Sequence, residues 1–296
     1  MKNLVLLMSG VSMGANREYK NSVFSLLFND SDVLRSLYSA LEGVTLPPNV
    51  SIDINTLSDV IFKDQINDLS FTVDNRLVVL IEHQSTINEN MPLRLLLYIA
   101  RVYEKIIDRK KIYAKDLVSI PWPEFIVLYN GTDPYPDQAT LKLSNAFKKL
   151  GDLTDKTEMP VGLELVARVY NINTGHNETI LERSEELNGY SAFVEKVREY
   201  TKTIPDNKRA FREAINYCIE HNILRQFLEE NASEVLNMLL TEWSTEEAME
   251  VSREEGREEG REEGKSIVLE LVKQGYTAGQ IEEKLAQTKA TKTAGK

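Results

Sequence analysis

The chain has 296 residues, 42% hydrophobic and 27% charged, and carries a net charge of −11. This is the composition of a soluble globular protein of one large or two smaller domains, and the acid excess argues against an indiscriminate binder of nucleic acid. The single cysteine, Cys218, excludes an internal disulfide and fits a reducing cytoplasm; no run approaches the roughly 18 apolar residues of a membrane-spanning helix.

The charge is uneven. Residues 1–150 hold 16 Lys+Arg against 17 Asp+Glu, and the remainder holds 19 against 29. The first half is therefore close to neutral, and nothing in its balance repels a polyanion.

Residues 1–15 contain one Lys and a five-residue apolar run, too short for a signal peptide. They read as a disordered tail, with Met13 as an alternative start. Residues 16–29 read as an amphipathic helix, with Tyr19, Val23, Leu26 and Leu27 on one face. Lys20 on this helix is a candidate phosphate contact, and Glu18 is either a further acid for a site or part of a solvated face. Asp30 or Ser31 caps a second helix that runs to about Leu41 and closes at Gly43. Residues 51–62 supply a strand.

The most informative stretch is 66–94, INDLSFTVDNRLVVLIEHQSTINENMPLR. Phe71 and Val73 favour a strand. Asp74 and Asn75 tolerate positive φ and make a turn. Residues 76–84 form a near-continuous apolar run, as in a strand covered on both faces, and end in Glu82, His83 and Gln84. Glu82 and Gln84 lie two apart and share a face. If Val73 pairs with Leu77 across a three-residue loop, Asp68 falls opposite Glu82; a two-residue loop shifts the pairing by one. Two carboxylates and an amide would then converge at the open end of a hairpin. Such carboxylates repel one another unless a cation joins them, and oxygen donors on rigid strands suit Mg²⁺ or Mn²⁺. The spacing alone, a short pattern, fits better with Asp68 capping a strand and Glu82 and Gln84 opening a solvated loop.

After the hairpin, Asn90 reads as an N-cap and Met91-Pro92 as the first turn of a helix reaching about Lys111. Leu95, Ile99, Val102 and Ile106 are spaced to pack on the sheet. Arg94, Tyr98 and Arg101 share a face that can approach the acids, although core packing is an equal reading for Tyr98. Arg109, Lys110, Lys111 and Lys115 form the densest basic patch. They are either a solvated helix end or a contact with DNA backbone. Residues 121–123, Pro-Trp-Pro, lead into a strand over 124–129 that ends at Asn130-Gly131. A Pro- and Asp-rich loop follows at 132–138, and 163–172 is another strand. The core order reads α-β-β-β-α-β with one later strand.

From about Asn177 the pattern is helical. Pro205 separates two helices, and apolar residues recur at helical spacing over 216–240. Arg-Glu-Glu-Gly then occurs three times over 253–264, with no apolar seam and a helix cost of roughly 1 kcal/mol per Gly. Thr277 and Gln280 form a capping box at the start of a last short helix. The expected organisation is a tail over 1–15, a core over 16–176, a helical subdomain over 177–250, a repeat linker over 251–265, and a short helical segment with a polar tail over 266–296. The helical C-terminal part is a candidate surface for a homo-oligomer. His83, His176 and His221 lack metal-ligand spacing, and a buried thiol is the expected state of Cys218.

Three strings extend the hairpin motif. They are NDLSF at 67–71, IEHQSTINENMPLR at 81–94 and LYIARVYE at 97–104, followed by PEFIVLYNG at 123–131 and VYNIN at 169–173. Together they resemble the Rpn family, bacterial recombination-promoting nucleases also labelled transposases, within the PD-(D/E)XK superfamily. The resemblance starts near Tyr19 and covers most of the chain. It implies a restriction-endonuclease-like α/β fold, a mixed sheet flanked by helices, with an all-helical C-terminal part. It also implies a Mg²⁺-dependent DNA endonuclease. The superfamily's first metal-binding acid falls on Asp68 and the acid of its (D/E)XK element on Glu82. Its lysine falls on Gln84, a departure, and a backbone carbonyl at His83 completes the expected metal set. Lys20, Arg94, Tyr98, Arg101, Arg109, Lys110 and Lys111 are the expected DNA contacts. A non-catalytic binding or assembly protein on the same fold is the alternative, since Gln84 can orient water but carries no charge.

Overall fold

Asp74 (φ 51°) and Asn75 (φ 50°) adopt the left-handed backbone their side chains tolerate, and this turn organises the sheet. With Arg76 they form a three-residue loop between β2 (Asp68–Val73) and β3 (Leu77–Gln84). Val73 pairs with Leu77, so the register runs back to place Asp68 directly opposite Glu82. The computed structural model describes residues 23–54, 68–148, 160–241, 243 and isolated positions between 261 and 280; Asp68 is described by its backbone alone. The 1–15 tail, Lys20 and Glu18, the end of the 51–62 strand and all of the Arg-Glu-Glu-Gly repeat except Arg261 lie outside these residues.

The fold is mixed α/β. β1 (Ile52–Ile54), β4 (Trp122–Tyr129), β5 (Gln138–Lys142) and β6 (Val166–Asn171) join the hairpin in one six-stranded sheet, ordered β1-β2-β3-β4-β6-β5. β3, β4 and β6 are parallel, and the outer pairs are antiparallel. The central strand β3 is buried from Val78 to Gln84, which explains its apolar run.

One face is covered by α3 (Met91–Ile106). Leu95, Tyr98, Ile99 and Val102 pack on Val78, Leu80, Phe125, Val127 and Val169. The other face carries α1 (Val23–Leu27), α2 (Ser31–Glu42) and α6 (Glu185–Thr203), with Phe24 stacked on His83 at 4.6 Å and Tyr38 edge-on to Phe71. Asp30 caps α2 through the Asp32 and Val33 amides, and Gly43 (φ 66°) ends it, as the sequence suggests.

Several elements differ from expectation. α3 stops at Ile106 rather than near Lys111, because Ile107 is extended and Asp108 caps a separate turn, α4 (Arg109–Ile112). Ile106 is consequently 42% exposed and does not pack on the sheet. Asn90 occupies the cap position without a side-chain cap bond. β5 is an additional edge strand whose alternate exposed and half-buried residues gave no apolar run. Past β6 the described residues are helical: a short α5 (Glu178–Leu181), α6, and α7 (Asn207–Glu220) after Pro205. The 216–240 pattern is interrupted, since Asn222 and Leu224 have positive φ and helix resumes at 225.

Residues 1–239 form one compact unit and 240–296 a second. In the second, the Thr277 amide and hydroxyl both donate to Gln280 Oε1 at 3.0 Å, the expected capping box. No helix among the described residues is long and apolar enough to cross a membrane.

Candidate active site

The parallel strands β3, β4 and β6 end together, and ligands of α/β sheets gather at such carboxyl ends. β3 ends there in three consecutive buried polar residues, Glu82, His83 and Gln84. Alternation sends Glu82 and Gln84 to the α3 face and His83 to the other.

On the α3 face, Arg94 Nη2 donates to Glu82 Oε1 at 2.7 Å. The Glu82 side chain is 4% exposed and the Arg94 side chain 26%. Arg94 also donates to the Tyr98 hydroxyl at 3.2 Å, and its guanidinium lies 5.9 Å from the Tyr98 ring centroid. Tyr98 is thus both core and site: its ring is buried and its hydroxyl steadies the cation. The Gln84 amide donates to Glu82 Oε1 at 3.4 Å and to the Met91 sulfur. Glu82 Oε2 is buried and has no hydrogen-bond partner among the described residues. A buried carboxylate oxygen left bare is costly, and such an atom is the kind that a bound cation or water satisfies.

The ladder places the backbone of Asp68 directly across from Glu82. Residues opposite each other in an antiparallel pair occupy the same face, so the position of the first expected acid is on the α3 side of the sheet. Among the described side chains no group of three or more His, Cys, Asp or Glu could hold a metal. The described side chains that bring oxygen here are Glu82 and Gln84. They are hard donors on a strand, and the Glu82 Oε2 without a partner among the described residues leaves such a cation a place; in this respect they fit Mg²⁺ or Mn²⁺.

The His83 side chain is sealed on the opposite face. Its ring stacks on Phe24, and its Nε2 shares a 3.1 Å hydrogen bond with the Tyr190 hydroxyl. Burial, reinforced by the nearby Arg198 cation, pulls its pKa down to about 3. It is a neutral core histidine, and only its backbone can take part in a site on the α3 side.

The remaining candidates are spread out. Arg101 is ion-paired with Glu104 at 2.9 Å on an exposed stretch of α3. Arg109, Lys110 and Lys111 form α4, which buries no residue and follows the far end of α3 from Arg94. Lys20 lies outside the described residues.

Other polar residues at the strand ends escaped the sequence reading. Arg198 of α6 donates to the Asn130 carbonyl and, at 3.0 Å, to Asn173 Oδ1. Asn173 in turn donates to the Gly131 carbonyl and to Asn171 Oδ1. This bracket ties the ends of β4 and β6 together. A β-carbon at Gly131 would sit 2.1 Å from the Ser85 carbonyl, so only glycine lets the chain leave β4 so close to β3. The two Asn-containing strings carried a signal for this bracket; Arg198 carried none. An open polar cleft of about 630 Å³, lined in part by Glu42, Tyr170, Asn177 and Arg183, lies on the other side of the sheet and contains none of the candidate residues.

A search of curated proteins and of solved structures returned no match. A family model described as "Putative transposase, YhgA-like" matches residues 51–166. That span takes in the hairpin, α3, β4 and β5, and with them every residue gathered around Glu82. Residues 51–166 are therefore similar to the YhgA-like transposase family over about two fifths of the chain, consistent with the resemblance to the Rpn family.

Proposed function

We propose that the chain is a metal-dependent DNA endonuclease of the PD-(D/E)XK type, with a restriction-endonuclease-like core, acting in the cytoplasm in recombination or on mobile elements. The observation that supports it most is Glu82: a buried carboxylate, one oxygen held by Arg94 and the other without a partner among the described residues, on the ladder rung opposite the Asp68 backbone. The transposase family match supports a link to mobile DNA.

Asp68 and Glu82 would hold Mg²⁺ or Mn²⁺, with the His83 carbonyl. The cation, when bound, supplies Lewis-acid stabilisation of the phosphate and lowers the pKa of water. The chain's own residues do the rest. Arg94 fixes the Glu82 rotamer, and its partly exposed guanidinium is placed to stabilise charge that develops on phosphate. Gln84 offers an amide to orient the attacking water.

A second reading is a nuclease-fold protein that binds DNA or a protein partner without cutting it. One observation favours it: the Gln84 amide is buried and turned toward Met91 and Glu82 rather than toward solvent. Plasmid nicking by the purified chain with Mg²⁺ or EDTA, beside Asp68→Ala and Glu82→Ala, separates the two. Mg²⁺-dependent nicking lost in both variants is the expected result. Binding without nicking in any divalent metal selects the second reading.

A further inference from the structure

At the opposite end of the sheet from Glu82, the connection between α3 and β4 leaves its largest side chains bare. Tyr113 is 91% exposed, Leu117 95% and Trp122 73%. Single exposed apolar residues need no explanation, but three such residues within ten do. The same stretch, 105–116, carries Lys105, Arg109, Lys110, Lys111 and Lys115 against Asp108 and Asp116. A chain with a net charge of −11 thus sets five cations in the twelve residues that include Tyr113, the most exposed aromatic ring among the described residues, with Trp122 on the same connection.

The geometry presents these groups firmly. Trp122 is the first rung of β4, paired with Leu77, and its amide donates to the Arg76 carbonyl at 2.8 Å. The Tyr103 hydroxyl donates to the Pro121 carbonyl at 2.7 Å, which closes the connection at its base against the last turn of α3. Tyr113 follows α4 directly, and Asp108 caps that turn. The two rings are therefore held by a strand and a capped turn.

Cations on the same connection as exposed aromatic faces suit one class of polymer. Phosphates pair with Lys and Arg, and bases stack on the rings. A duplex hides its base faces in its own stack, so only an unpaired strand can use the rings. A second copy of this chain is disfavoured, because a self-complementary contact would bring five cations against five. We propose that the α3–β4 connection holds an unpaired DNA strand, with bases on Tyr113 and Trp122 and phosphates on Arg109, Lys110, Lys111 and Lys115. This rests on the reading of DNA as the substrate and narrows it to DNA with a single-stranded portion. The 16 residues of α3 separate this face from the Glu82 site by roughly 24 Å.

The test is fluorescence anisotropy with the full chain in EDTA, using labelled dT20, U20 and a 20-base-pair duplex. Tyr113→Ala and Trp122→Ala should each weaken dT20 binding by about 5- to 100-fold and duplex binding by less than about twofold, with Trp122→Phe restoring most of the loss. Both side chains are exposed, so thermal melts should match the parent. In a Trp243→Phe background, dT20 should quench the emission of Trp122. Parent-like dT20 binding by both Ala variants, equal losses on duplex, tighter binding of U20 than dT20, or a parent dimer that Trp122→Ala converts to monomer would each overturn the proposal. The last outcome would give the face to a second copy. Stacking on dT20 without Mg²⁺-dependent cleavage of either plasmid or a duplex bearing a single-stranded dT20 tail would sink the nuclease reading and leave this one standing. Nicking with unchanged dT20 binding by the variants would do the reverse.

Discussion

The two faces of β3 differ at one place. His83 on the α6 side is enclosed by Phe24 and Tyr190, and its Nε2 has a partner. Glu82, its neighbour in sequence, is just as buried on the α3 side, yet one of its oxygens has none among the described residues. Burial alone therefore does not mark function. A buried polar residue with its partners in place holds the fold, and one left incomplete is available to a ligand.

The strongest way to break this comparison is to remove the incomplete group. Glu82→Ala should lower cleavage on the order of 10³-fold, as should Asp68→Ala, while binding of DNA in EDTA persists. A cleavage assay beside anisotropy checks it; retained cleavage would mean that the bare oxygen has no catalytic role. Gln84 sharpens the same face. Gln84→Leu should lose most of the activity, about 10- to 100-fold, and Gln84→Lys should keep or raise it by restoring a charge that steadies phosphate. Cleavage by Gln84→Leu at the parent rate would reduce Gln84 to a strand residue.

The sealed face should respond differently. His83→Ala removes a ring packed between two aromatics and should cost about 3 kcal/mol in urea denaturation. Cleavage per folded molecule should stay near the parent value, because the backbone carbonyl is unchanged. A folded but inactive His83→Ala variant would erase the distinction between the faces. The smallest expected effect is on pH. The folded pKa of His83, about 3, lies below the unfolded value of about 6.5, so the stability it contributes is complete above pH 6.5 and falls as pH drops toward 3. Between pH 5.5 and 4 the loss from this group should approach about 1.4 kcal/mol per pH unit. His83→Phe, combined with Tyr190→Phe to avoid stranding the hydroxyl, should flatten that slope in urea midpoints measured across the range.

The sequence showed the α3 face well. Asp74 and Asn75 announced the turn, and alternation then put Glu82 and Gln84 together and His83 opposite. Helical spacing brought Arg94 and Tyr98 toward the acid. What stayed hidden depends on distant parts of the chain. Tyr190 and Arg198 reach His83 and Asn130 from α6, more than 60 residues away, and no local pattern encodes that. β5 was missed because Gln138–Lys142 is an edge strand with little apolar burial, right after a Pro-rich loop. The end of α3 was overrun because Lys and Arg after Asp108 continue a helix-favouring composition, and the cap made by Asp108 outweighs it.

The turn at 74–76 has a consequence for how such a chain can vary. Side chains on a strand obey parity, and the pair that the turn closes, Val73 with Leu77, sets the register of β2 against β3. Exchanging Asp74 for Asn or Gly leaves that pair intact. A slip of the pairing by one residue would put Asp68 out of step with Glu82 and bring Leu69 or Asn67 opposite it instead. A lineage that keeps the site can therefore exchange residues of this turn for others that tolerate its left-handed backbone, but it must keep a turn that holds Val73 opposite Leu77.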